Sequence, residues 1–388
     1  MTNWETIISW NFKYDIELKT SKVVVLHTSP ETVIEDYERL MRLADYEKCF
    51  PSGKEVILKL NLSWSLFFPA CSTPVWQLEG VLKVLIEDGF KVFPVENQTV
   101  VTHPWKGAYA NKWLPVFEKY GVKFIPLPNV EWVEYGPKSE LLALDKLFGS
   151  KILIPSLFIG RGIVHLATLK THGHTTITCA VKNSFGGLIP KYRHHAHKNI
   201  HEVLVDLIQI QREIHSGVFA VVDGTVMGDG AGPRTMIPRE GNLLIAGADQ
   251  VAVDSVAAKI MGFNPMNIKY LRIAHERGLG CADVGQIDLI GDLDLKKLDF
   301  KFKVKRSPVV FFDQLLRGKP VLDRLLFHTP MFKLAILASH IYHDYVWYPT
   351  VGRIRVSRFL KTRWGRLWLK YPYGEYPRDV QLKEWDPY

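Results

Sequence analysis

The chain has 388 residues, 47% of them hydrophobic and 23% charged, which excludes a mostly disordered chain, a collagen-like fibre and a disulfide-stapled miniprotein. Four cysteines stand far apart without a CxxC, so reduced thiols in a cytoplasm are expected, and neither a four-cysteine zinc site nor an iron–sulfur cluster of the chain's own. The net charge of +9 is uneven: residues 301–388 carry 17 Lys and Arg against 7 Asp and Glu, whereas the rest carry 32 against 33.

The opening residues are polar and acidic, which is not the pattern of a secretory signal. Apolar, β-branched runs predict strands at 23–26, 56–62, 91–95, 122–127, 163–169, 218–223, 243–246 and 287–290. Helical spacing predicts helices at 31–43, 113–120, 200–214, 249–261 and 267–277. Another opens with Thr73 as cap and Pro74 in the first turn and ends at Gly89. Such alternation implies an α/β body over 1–300, a mainly parallel sheet with helices on both faces, either whole or in two lobes divided near 150.

Ligands of open α/β sheets gather at the carboxyl ends of strands, and three segments there carry chemistry. Lys59 and Asn61 end one strand, ahead of the helix start at Thr73. The segment from His165 to His215 holds eight of the fourteen histidines. Lys170 and His172, two apart on a strand, share a face; Thr176 adds a hydroxyl, and Lys182 and Asn183 precede a flexible turn at 184–187. Lysine and histidine at a strand end suit proton transfer or an anion clamp, and His172, His174, His194, His195 and His197 are candidate ligands for a divalent metal. The bland reading of His194, His195 and His197 is a solvated basic loop. The third segment runs from Asp223 through Gly228, Asp229, Gly230 and Gly232, where a glycine-rich loop suits close backbone approach to a ligand. It fits neither the phosphate-loop nor the dinucleotide pattern. Asp254, inside an apolar helix, needs a partner, with Lys170 or Lys182 as candidates.

The order KLNL…STP, LKTHGHTTITCAVKNSFGGLIP, VVDGTVMGDGAGP and LIAGADQVAVDSVAAKIMGF resembles the family catalogued as domain of unknown function 362, along roughly residues 22–292. The resemblance implies an α/β fold and brings no established reaction. Some members of that family carry a cysteine-bound iron–sulfur domain, whose cysteine array this chain lacks. The layout is also faintly similar to nickel-pincer lactate racemases, whose own motifs are not reproduced.

The basic region 301–388 holds no apolar run near the ~20 residues of a spanning helix. Residues 352–370 read as an amphipathic helix with Trp364 and Trp368 on the apolar side and Arg355 and Arg358 on the basic side, the pattern of a helix lying in a membrane interface. Its bland alternative is a helix packed on the body; nucleic-acid binding lacks a supporting motif. The expectation is a cytoplasmic enzyme, peripheral on a membrane, in which Lys170, His172, Lys182 and Asp223 move a proton on an anionic or lipid-linked small molecule, with or without a metal. Lys59, Asn61, Thr73, Thr176, Asn183, the glycine loop and Asp254 would line its site. The alternative is a non-catalytic carrier of a metal or cofactor at the membrane surface.

Overall fold

The computed structural model describes residues 21–383, apart from 191, 192, 296, 328, 330 and 379. The polar N-terminal start lies outside the described residues. The strands are β1 (Lys22–His27), β2 (Glu55–Lys59), β3 (Lys91–Glu96), β4 (Ile125–Pro126), β5 (Trp132–Tyr135), β6 (Ile152–Pro155), β7 (Gly162–His172), β8 (Thr176–Thr178), β9 (Val218–Ala231), β10 (Thr235–Gly247) and β11 (Asp288–Gly291). The body helices are α1 (Val33–Leu43), α2 (Val75–Glu87), α3 (Pro104–Ala110), α4 (Leu114–Lys119), α5 (Leu144–Phe148), α6 (Ala180–Leu188), α7 (Ile200–Ile214), α8 (Gln250–Met261) and α9 (Lys269–Glu276). The C-terminal helices are α10 (Pro308–Arg317), α11 (Pro320–Phe327), α12 (Phe332–His340), α13 (Arg353–Leu360) and α14 (Arg363–Lys370), with a π-helical stretch, Ile341–Gly352, before α13.

One nine-stranded sheet runs in the order β11-β1-β10-β9-β7-β2-β3-β4, with β8 paired to β7. All neighbours on the main path are parallel except where β10 runs against β1 and β9. This is the mainly parallel α/β arrangement the alternation predicts. One apolar core lies between the sheet and α6–α9; the other lies beneath α1–α4 and takes in α13 and α14. The sheet is continuous across residue 150, since β2 pairs directly with β7. All 11 residues of β7 are buried, as a strand covered on both faces must be. Its polar side chains must therefore find partners inside the protein.

The strand expected at 122–127 is only Ile125–Pro126, and two glycine-containing stretches also differ from their sequence reading. Residues 184–187 form no flexible turn but the interior of α6. The Asp254 carboxylate, projecting from α8, accepts the N–H groups of Ala180 at 2.7 Å and Val181 at 3.4 Å, satisfying amides that open α6. A Cβ on Gly187 would lie 3.2 Å from Phe158 and 3.3 Å from the Lys59 side chain, so close packing outweighs glycine's poor helix propensity. The glycine-rich segment 228–232 is likewise the tip of the long β9–β10 hairpin. A Cβ on Gly228 would meet Met236 Sδ at 2.2 Å, and one on Gly232 the Thr171 carbonyl oxygen at 1.7 Å. These glycines admit neighbouring protein atoms.

The C-terminal region divides in two. In α13 and α14, Phe359, Trp364 and Trp368 are buried on the body. Trp364 Nε1 donates to Asn242 Oδ1 at 2.7 Å, and Trp368 stacks on Phe67 with ring centroids 4.2 Å apart. Arg355 donates to the Met236 carbonyl oxygen at 2.5 Å, and Arg358 is exposed. The single amphipathic helix expected over 352–370 is thus two helices broken at Lys361 and Thr362, with the apolar side turned to the protein and the indoles not presented to an outside surface. By contrast, α10–α12 line a cavity at the carboxyl ends of β2, β3 and β7 and leave large apolar side chains exposed. Among the described residues, no helix is long and apolar enough to cross a membrane.

Candidate functional site

Between the strand ends and α10–α12 lies a cavity of about 660 Å³. Its floor includes Lys59, Asn61, Glu96, His172, Thr178, Lys182, Asn183 and Arg234. Its roof is apolar, with Val309, Val310, Leu316, Phe327, Phe332 and Ile336.

The floor is tied together at Asn61, just beyond β2. Asn61 Oδ1 accepts from Lys170 Nζ at 2.7 Å and from the Thr168 hydroxyl at 3.2 Å, while its Nδ2 reaches Asn183 Oδ1 at 3.4 Å. Asn183 Nδ2 donates to the Lys59 carbonyl oxygen at 3.0 Å. The side chains of Lys59 and Glu96 form a buried ion pair at 2.8 Å. Such a pair offsets two desolvation costs, and removing either partner would leave the other buried without its counter-charge from this pair.

Lys170 is fully buried; its ammonium meets Asn61 and the Thr168 hydroxyl and has no carboxylate ion-pair partner among the described residues. Burial pulls its pKa down to about 8. It lies beneath the floor, bracing Asn61, and does not line the cavity.

His172 and Lys182 do line it, with Nε2 and Nζ 3.1 Å apart. Burial, reinforced by Lys182, holds His172 well below the usual histidine range, so the ring is neutral at neutral pH. Its Nδ1 accepts the His174 N–H at 3.1 Å. A neutral imidazole accepting at Nδ1 carries its proton on Nε2. The arrangement sets a lysine nitrogen beside a neutral imidazole in the cavity lining.

Among the described residues, Arg234 Nη1 and Thr178 Oγ1 are polar atoms of the lining that are buried with no hydrogen-bond partner. Arg234 follows Pro233 in the β9–β10 turn, and burial lowers its pKa. Buried donors are rarely left unsatisfied unless a ligand or water completes them.

The structure brings together Lys59, Asn61, His172, His174, Lys182, Asn183 and His197 as cavity-lining residues, with Lys170 directly beneath. Others fall elsewhere. Asp223 lies in the opposite core, where Tyr37, Trp76 and Thr225 donate to it at 2.6, 3.0 and 2.7 Å. Its role there is to satisfy buried donors. Asp254 meets α6 and the Tyr270 hydroxyl instead of either lysine, and burial raises its pKa to about 7. Thr73 does not cap α2, which begins after Pro74 without a side-chain cap; its hydroxyl donates to the Leu166 carbonyl oxygen at 3.0 Å. Thr176, Gly228, Asp229, Gly230 and Gly232 do not line the cavity, and Asp229 accepts from Arg239.

For the metal set, the rings of His172, His174 and His197 run in sequence, with centroids 5.7 and 5.3 Å apart. The side chains of His194 and His195 lie outside the described residues. Among the described residues, no group of three or more His, Cys, Asp and Glu is placed to hold a metal ion.

Sequence reasoning missed Arg234 and Glu96. Glu96 ends β3 at the carboxyl edge of the sheet, a position that could have drawn notice. Arg234 directly follows the GDGAGP run, and only its missing partner marks it.

A family model described as a domain of unknown function (DUF362) matches residues 56–259. The chain belongs to this family. The match spans β2 to α8 and contains the whole polar floor, while α10–α12 lie beyond it. A thylakoid-associated protein of Synechocystis sp. is 31% identical over 121 residues, covering 30% of this chain and 37% of that protein. The aligned stretch is thus well under half of the relative. No solved structure matches.

Proposed function

We propose that this DUF362 protein is an acid–base enzyme acting on an anionic amphiphile, with the charged head on the polar floor and the apolar tail beneath α10–α12. The observation that carries the reading is Arg234 Nη1, a buried guanidinium nitrogen without a partner in the cavity lining. A phosphate or carboxylate there would complete it through a charge-assisted hydrogen bond, and Thr178 Oγ1 would add a second. The apolar roof suits a hydrocarbon tail, since most of a ligand pocket is lined by apolar groups around a few placed polar ones. Lys182, held by His172, takes the proton. Lys170 acts through Asn61. A peripheral place on a membrane goes with such a ligand. The relative's description as thylakoid-associated points the same way for that protein.

The test is calorimetric titration with dodecyl phosphate and with uncharged dodecyl maltoside, beside turnover of a lipid extract followed by mass spectrometry. Arg234→Gln is expected to weaken dodecyl phosphate binding at least tenfold. Lys182→Met and His172→Asn should retain binding of the phosphate and abolish consumption of the extract component that the wild type turns over. Failure to bind dodecyl phosphate, or full turnover by Lys182→Met, would overturn the reading. The carrier alternative predicts a stoichiometric transition metal that survives Arg234→Gln and is lost from His172→Asn.

A further inference from the structure

We infer that the outer face of α10–α12 is a docking surface for an anionic lipid bilayer, placed so that the cavity behind it takes its ligand from the membrane. The second half of this inference rests on the amphiphile reading above; the first stands on the surface itself.

Helices α10 and α12 are apolar on two sides. In α10, Val309, Val310 and Leu316 line the cavity, while Phe311 and Leu315 are each 49% exposed. In α12, Phe332 and Ile336 line it, while Leu334 and Leu337 are 62% and 56% exposed. Val321 of α11 is 78% exposed, and Tyr345 and Val346 just beyond α12 are exposed as well. A helix on a protein surface normally turns polar residues to water; one that carries large apolar side chains on two sides favours an apolar medium on both. The cavity is one. The second must come from outside the described chain, and large exposed apolar side chains gathered on successive helices mark an interaction site.

Charge identifies the occupant. Exposed Lys305 and Arg306 precede α10, Lys319 follows it, and Lys333 sits among the exposed leucines of α12. The acid of α10, Asp313, is turned to Arg317 at 3.1 Å and lies 3.6 Å from His174. A second copy of the chain would set these cations against one another. An anionic leaflet attracts them while its acyl region takes the apolar side chains. The helices are too short to span, so they would lie in the interface.

The experiment is co-sedimentation of the full chain with vesicles of phosphatidylcholine containing one third phosphatidylglycerol, with pure phosphatidylcholine as comparison. The wild type should bind the anionic vesicles, and binding should fall as NaCl rises from 0.1 to 0.5 M. The triple variant Leu315→Ser, Leu334→Ser, Leu337→Ser removes side chains that do not line the cavity; circular dichroism and thermal melting verify its fold. It should lose at least tenfold in vesicle partitioning and still bind monomeric dodecyl phosphate like the wild type. Equal partitioning by wild type and variant overturns the proposal. So does a wild-type dimer that the same variant dissociates, which would assign the face to a second copy. If dodecyl phosphate binds but vesicles do not, the surface falls and the amphiphile reading stands. Vesicle binding without dodecyl phosphate binding does the reverse.

Discussion

Lys59, Asn61, Lys170 and Asn183 meet in a hydrogen-bonded net beneath the cavity, whereas α10 and α12 above it show phenylalanine and leucine to solvent. The floor lies within the family match and hangs on strands buried on both sides; the roof lies beyond it and also makes polar contacts with the body. Those contacts run from α10 to the β7–β8 turn, where Gln314 Nε2 donates to the Gly173 carbonyl oxygen at 2.9 Å and Asp313 approaches His174. The difference teaches where rigidity and adaptability reside. A buried polar net has one satisfied arrangement, whereas an apolar cap is held mostly by packing that is not directional.

The contrast can be broken most severely through the floor. Lys59→Met should destabilise the protein by about 3–5 kcal/mol in urea unfolding, because it leaves the Glu96 carboxylate buried without its ammonium. A loss below 1 kcal/mol would mean the pair is solvated. Trp364→Ala should cost a similar ~3–5 kcal/mol by removing a wholly buried indole, which separates α13 and α14 from the roof although all lie in the same basic region.

Next comes a pH effect. The Lys170 ammonium is held near a pKa of about 8 in the fold and titrates near 10.5 when unfolded. Between these values the unfolded chain binds the extra proton, so stability should rise with pH from 8 toward 10.5, by up to about 3 kcal/mol. Lys170→Met should flatten that rise in urea melts recorded across the window. An unchanged slope would assign the effect to another group. The smallest effect belongs to the roof: Leu334→Ser should change unfolding free energy by no more than about 0.5 kcal/mol, since the side chain is already 62% exposed. A loss of several kcal/mol would show that the outer face is covered in solution.

Much of the body is legible from the sequence. Helix α7 spans Ile200–Ile214 as its spacing predicts, and β7, β9 and β11 begin within a residue of their expected starts. The pairing of Lys170 and His172 on one face follows from the two-residue period of a strand. Helix α6 was not legible because the Asp254 carboxylate and the packing at Gly187 hold it, both contributed by distant residues. Asp223 reads as catalytic because an aspartate ending a strand is a common place for chemistry. Only the fold shows Tyr37, Trp76 and Thr225 satisfying it.

The sequence by itself determined the α/β alternation, the uneven charge and the candidate lysine and histidines, because period, composition and local spacing are properties of neighbouring residues. Tertiary structure decided which of those groups share a cavity, that Arg234 Nη1 is buried there without a partner, and that the tryptophans of α14 face the protein while α10–α12 face outward. These are matters of burial and of contacts between residues far apart in the chain, and local sequence carries no record of either.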